Sequence, residues 1–146
     1  MSNWFEFDES ANVWGDATDD YHPPPWRVVA VPEVLTWLDQ MRAADARFNA
    51  ALTHALLALR NRGPDIGRPV VDRVKGSTIK NLKELRLSAS GGGDVRILFV
   101  FDPTRSAVLL AGGDKAGQWN KWYPRAIRLA EQRYAQHLAL QKRRSS

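Results

Sequence analysis

At 146 residues, with 44% hydrophobic and 25% charged residues, the chain is sized for one soluble domain around a single core. The absence of cysteine excludes disulfides, thiolate metal sites, cysteine nucleophiles and iron–sulfur clusters, and it fits a cytoplasmic protein. The longest apolar runs, such as Ile97–Phe101, fall far below the ~20 residues of a membrane span, so no membrane partner is expected.

Charge is unevenly distributed. Residues 1–26 hold six acids and neither Lys nor Arg, whereas the rest of the chain holds all 21 basic residues against 10 acids. That body is much more basic than the whole-chain +5 suggests. It attracts polyanions and points toward nucleic acid, although a solvated basic face gives the same count. The N-terminus, Met1–Ala11, is acidic and lacks the basic-then-apolar order of a signal peptide.

In chain order, the first boundary is His22-Pro23-Pro24-Pro25. A proline triplet continues neither a helix nor a central strand and acts as a stiff spacer. Residues 1–25 therefore read as an acidic, flexible tail and residues 26–146 as the folded domain. The aromatics Trp4, Phe5, Phe7 and Trp14 leave a second reading, in which the tail docks on the basic body or on a partner.

Trp26–Ala30 reads as a short strand. Pro32 suits the first position of a helix, and Val34, Trp37, Leu38 and Met41 follow at i, i+3, i+4 and i+7. A second helix starts near Asp45, places Phe48, Leu52, Ala55, Leu56 and Leu59 on one face, and ends at Gly63-Pro64. These two helices are expected to form an antiparallel hairpin. Ile79–Leu87, Val95–Phe101 and Ala107–Ala111 then read as three strands, the first two joined through a loose Gly91-Gly92-Gly93 tip. The second and third are too apolar for either face of their sheet to stand in water. Gln118 to Arg144 is the last helix, with Ile127, Ala130, Tyr134 and Leu138 along one side. The expectation is an α+β fold: N-terminal strand and two-helix hairpin, three-stranded antiparallel meander, C-terminal helix.

No metal or cofactor is expected. His22, His54 and His137 have no ligand spacing, and no zinc, calcium or phosphate-cradling Gly-rich motif is present. Cations on strands remain. Arg96 is the one charge within Val95–Phe101, and a buried charge without a partner is costly. It either pairs with an acid such as Glu84 or lines a pocket, and a Glu84–Arg86 pair is equally open. If register brings Arg86, Arg96 and Lys115 to one end of the sheet, three cations converge in an arrangement suited to phosphate.

The series Leu82-Lys83-Glu84-Leu85-Arg86, Val95-Arg96-Ile97-Leu98-Phe99 and Val108–Lys115, closed by a helix with Ala126-Ile127 and Ala130, resembles the RelE/HigB toxins. These belong to bacterial type II toxin–antitoxin systems and include phage-derived relatives; the resemblance spans roughly Trp26–Leu138. It implies a RelE/ParE-like fold and a metal-independent endoribonuclease that cleaves mRNA, commonly on the ribosome, and so inhibits translation. In that chemistry the RNA's own 2′-hydroxyl attacks the adjacent phosphate. Arg96 and Lys115 are then implied as ligands of the pentavalent phosphate, Arg86 as a third, and Tyr123 as a stacking or proton-transfer residue. Lys75, Lys80, Lys83 and Lys121 are expected to follow the RNA backbone, and Trp119 or Trp122 to stack on a base. Glu84 is a candidate base by chemistry, weakened if an arginine pairs with it; His137 lies far along the helix. The implied partner is a cognate antitoxin, often a helix-turn-helix protein. The alternatives are a ParE-like inhibitor of DNA gyrase and a non-catalytic nucleic-acid-binding relative.

Overall fold

The computed structural model describes residues 5–8, 13–16, 26–114 and 118–145. Its elements are β1 (Phe5–Asp8), β2 (Val13–Asp16), β3 (Arg27–Ala30), α1 (Pro32–Ala44), α2 (Ala46–Arg62), β4 (Val71–Arg73), β5 (Lys83–Ser88), β6 (Asp94–Asp102), β7 (Ser106–Gly113) and α3 (Trp119–Ser145). The seven strands form one mixed sheet in the order β2-β1-β3-β7-β6-β5-β4. Only β3 and β7 run parallel; the other neighbours are antiparallel. The class is α+β, as expected, but the sheet is wider than a three-stranded meander. Successive β5, β6 and β7 form its centre, β4 extends one edge, and β3, β1 and β2 extend the other.

The acidic segment contributes to this sheet over its described residues. Phe5 and Glu6 pair with Ala30 and Val29, Phe7 is buried to 1% exposure, and its ring meets Trp14 at 5.6 Å. Glu6 lies 3.8 Å from the buried Arg27 guanidinium. Alternation of Phe5 and Phe7 with acids is a strand pattern, and the apolar face it creates is buried on the body. This departs from a tail held apart by the proline triplet.

The helix pair departs from expectation too. α1 and α2 are separated by Asp45 alone, at φ −143°, whereas antiparallel helix hairpins use loops of about 2–5 residues. Asp45 closes α1 and caps α2, its carboxylate accepting from the Phe48 N–H at 3.0 Å. The same carboxylate accepts from the Ser90 N–H at 2.9 Å and the Ser90 hydroxyl at 2.7 Å. Together these bonds, that to Phe48 foremost, hold the Asp45 carboxyl at about 2. The Gly91-Gly92 tip, with both glycines at positive φ, is thus tied to the helix joint through Ser90 and is not loose.

The two faces of the sheet are covered by different helices. Consecutive residues of a strand point to opposite faces. A Cβ on Gly112 would stand 2.2 Å from the Trp37 ring of α1, and one on Gly113 2.3 Å from the Trp122 indole of α3. α1 therefore packs the Gly112 face and α3 the Gly113 face. By register the α3 face carries Asp72, Glu84, Arg86 and Arg96. It also carries Asp102, which closes the β6–β7 turn.

Asp102 is 3% exposed. One oxygen accepts from the Thr104 N–H and hydroxyl and the Ser106 N–H at 2.7–3.1 Å. The other meets His137 Nε2 at 3.0 Å and Gln141 at 3.3 Å. Burial pushes this carboxyl upward, but the His137, Thr104 and Ser106 bonds outweigh it and hold it below the usual carboxylate range. A depressed folded value means the stabilisation is complete above the unfolded carboxyl range and is lost as pH falls through the folded value. Melting temperatures taken stepwise from neutral to acid pH should fall less steeply for Asp102→Asn than for the parent; parallel acid limbs would refute this assignment. Phe7→Ala should cost about 3–5 kcal/mol in urea unfolding, and an unchanged midpoint would mean the acidic strands are dispensable to the fold.

Candidate active site

Across the α3 face Arg86 stands opposite Arg96, and Arg96 opposite Gly113. Like charges opposed on a ladder repel, and here carboxylates interleave with them. Arg86 holds Glu84 Oε1 through Nε and Nη2, each at 2.9 Å, and Asp72 at 3.4 Å. Arg96 Nη2 reaches Asp94 at 3.3 Å. Tyr123 links the two halves: its hydroxyl donates to Glu84 Oε2 at 2.5 Å and accepts from Arg96 Nη1 at 2.5 Å. Glu84, at the hub, is 2% exposed, whereas the Arg86 and Asp94 side chains are 42% and 40% exposed.

α3 delivers the aromatic half of the site. Its first turn opens on the Gln118 carbonyl, which accepts from the N–H groups of Lys121 and Trp122 at 3.2 and 3.1 Å. Trp119 and Tyr123, four residues apart, then share one side of the helix. The Arg96 guanidinium carbon lies 4.3 Å from the Trp119 ring centre and 5.6 Å from that of Tyr123. A guanidinium pressed on an indole keeps its in-plane donors available. Its Nε is buried and has no hydrogen-bond partner among the described residues.

Burial first, then the Glu84 bond and charge, push the Tyr123 hydroxyl up to about 12, against the opposing pull of Arg96. Tyr123 is therefore protonated at neutral pH, and its proton is committed to Glu84. Paired with Glu84, Arg86 is held even more firmly as a cation than an ordinary arginine. The result is a proton path, Tyr123 to Glu84, with a cation on the phenolic oxygen. Among the described residues no group of His, Asp or Glu is arranged to hold a metal ion.

The structure thus brings Arg86, Arg96, Tyr123 and Trp119 together, but not as a bare cationic nest. Arg86 is occupied by two carboxylates, because its strand neighbour Glu84 is buried and needs a cation. Lys115 lies outside the described residues. Lys83 points to the opposite face, its Nζ 5.7 Å from the Phe101 ring centre. Lys75 and Lys80 are exposed on the connection between β4 and β5, and Lys80 lines a groove with Tyr134 and Leu138, far along α3 from Tyr123. Lys121 is exposed beside Trp122. His137 is buried on Asp102, away from the cluster. Asp94 was a readable addition, since residues two apart on a strand share a face with Arg96. Asp72 gave no such signal because β4 is three residues long.

The family model described as phage-derived protein, Gp49-like, matches residues 39–135. A Mycobacterium tuberculosis protein named "Putative toxin HigB2" is 39% identical over 129 residues, 83% of this chain. This chain spans 64% of that relative's length, a little less than two thirds. A second protein of that organism, "Putative toxin HigB3", is 47% identical over 112 residues, covering 77% of this chain and 93% of the relative. No solved structure matches the chain.

The Tyr123 environment is directly measurable. In a spectrophotometric titration of tyrosinate, one tyrosine should ionise at about 12 in the parent. Glu84→Gln removes a bond and a charge that favour the neutral phenol, so that step should move down toward the ordinary tyrosine range. An unmoved step would show that Glu84 does not hold the Tyr123 proton.

Proposed function

The chain belongs to the phage-derived Gp49-like family, and we propose that it is the toxin of a toxin–antitoxin pair, a metal-independent endoribonuclease that cuts messenger RNA and so stops translation. The names of its two mycobacterial relatives support the toxin reading. The chain of contacts Arg96–Tyr123–Glu84 is the single observation that carries the chemistry.

RNA supplies its own nucleophile, so the protein has three tasks: to align the 2′-oxygen, take its proton and stabilise the phosphorane. Arg96 is assigned to the phosphate. Its Nη2 edge meets Asp94 at 3.3 Å, a long contact to a well-exposed carboxylate. A phosphate oxygen offers that edge a shorter charge-assisted bond, and exchanging one anion for the other admits the RNA. Tyr123 and Glu84 form the relay. The 2′-hydroxyl gives its proton to the Tyr123 oxygen as the Tyr123 proton passes to Glu84. The phenol never has to ionise, which suits a hydroxyl held at about 12. The 2′-oxygen bonds to phosphorus, the bond to the 5′-oxygen breaks, and that oxygen takes a proton from water. The products are a cyclic phosphate and a 5′-hydroxyl end.

Arg86 becomes a positioning residue in this scheme, since it pairs with Glu84 and holds it in place. Lys115 comes two residues after Gly113, the cross-strand partner of Arg96, and remains the proposed second cation on the phosphate. Lys75, Lys80 and Lys121 are proposed to act over longer range on the RNA backbone, with the ribosome as the proposed setting for the cut. The antitoxin that neutralises such a site should present acidic residues to it.

The decisive variant is Arg96→Ala. With folding intact by circular dichroism, cleavage of a defined transcript should fall about 100-fold or more, equivalent to ~2.7 kcal/mol of barrier, and persist in the parent under chelation. Arg96→Lys should restore part of it. A folded Arg96→Ala that cuts like the parent overturns this assignment. A parent that binds RNA in a salt-dependent way and never cuts it identifies a binding protein instead.

A further inference from the structure

Beside the Arg96 network, β7 ends on two glycines, each overlaid by an indole. Any side chain there would collide with Trp37 or Trp122, at 2.2 and 2.3 Å for the first carbon alone. Trp37 from α1 and Trp122 from α3 reach the end of β7 from opposite faces and wall a cavity of about 270 Å³. Its rim carries Asp114, Gln118, Lys121 and Arg125. A second space of about 280 Å³ shares both indoles, Gly112 and Arg125 and runs on between the two helices.

Unlike the arginines of the network, Lys121 and Arg125 are in no ion pair or side-chain hydrogen bond among the described residues, and the same holds for Asp114. Their charges stand at the cavity mouth, unpaired among the described residues. The cavity is below the ~300–1,000 Å³ typical of sites for drug-sized ligands and suits one planar ring system. Indole walls favour stacking of a nucleobase. The rim then discriminates guanine from adenine. A carboxylate accepts from the N1–H and N2 amino groups of guanine, while ammonium and guanidinium groups donate to its O6 and N7. Adenine would turn an amino group toward the cations.

We infer that this cleft is a guanine-selective subsite for the nucleotide next to the scissile phosphate, with Asp114 as the residue that discriminates. Its place in cleavage rests on the ribonuclease reading. Two connections set its distance from the chemistry: Gly113 is the cross-strand partner of Arg96, on strands ~4.8 Å apart, and Trp122 adjoins Tyr123, their ring centres 5.1 Å apart.

The test separates base recognition from cutting. Tryptophan fluorescence of the full chain is titrated with guanosine, adenosine, cytidine and uridine monophosphates, and cleavage ends on a mixed-sequence transcript are mapped in parallel. Guanosine monophosphate should bind at least tenfold more tightly than adenosine monophosphate. Asp114→Asn, at an exposed position, should erase that ratio. Cleavage ends should be enriched for an adjoining guanine in the parent and lose that enrichment in Asp114→Asn. Four equal affinities, or a ratio unmoved by Asp114→Asn, overturn the subsite. Guanine-selective binding by a parent that cuts no RNA would overturn the ribonuclease reading and leave the subsite standing; cutting without base preference would do the reverse.

Discussion

A carboxylate 2% exposed on a strand tolerates few surroundings, because taking it out of water costs several kcal/mol unless charged and hydrogen-bonding partners replace the lost solvent. Glu84 meets that condition with two neighbours from different parts of the chain. Arg86 comes from its own strand and Tyr123 from the first turns of α3. Through Tyr123 the requirement extends to Arg96 on β6. One buried charge therefore fixes where α3 begins against the sheet, which side of the Arg96 guanidinium faces Trp119, and which proton Tyr123 carries. Fold and candidate chemistry depend on the same hydrogen bonds.

Strand parity distributes the rest. The α3 face of the sheet is polar at both ends, with the Glu84 cluster near α3's start and Asp102 with His137 near its far end, and apolar between. Both buried carboxylates are tied to α3 side chains, so the long helix is pinned at two places about four turns apart, residues 123 and 137. The opposite face, under α1 and α2, is the ordinary hydrophobic core. At the end of β7 the Gly112-Gly113 pair lets an indole approach from each side, and these indoles line a cleft next to the charged cluster.

The basic excess of the body does not gather at Arg96. There three carboxylates, Asp72, Glu84 and Asp94, accompany two arginines. Cations with no anionic partner among the described residues, Lys121 and Arg125 among them, stand at the rim instead. In the proposed function, long-range attraction of a polyanion is thus the work of peripheral charge, and proton transfer that of a compact, internally compensated network. The two demands differ physically: attraction adds over all charges within a Debye length, whereas proton transfer needs fixed donors at hydrogen-bond distance.

Local signals were legible where one stretch of chain contains its own cause. Pro32 at the start of α1, Asp45 before α2, Gly63 after it and the apolar stripes of the helices mark those elements from sequence, since caps and periodicity act within a few residues. The central strands were legible in the same way, and so was Arg96 as a lone charge in an apolar run. Tertiary structure alone decided the remainder. That the acidic segment adds strands, that β3 runs parallel to β7, that Arg86 is claimed by Glu84 and Asp72, and that Trp37 and Trp122 meet across two glycines all depend on register between stretches tens of residues apart. Shifting a strand by one residue would exchange every face of the sheet, and composition and spacing carry no record of that choice.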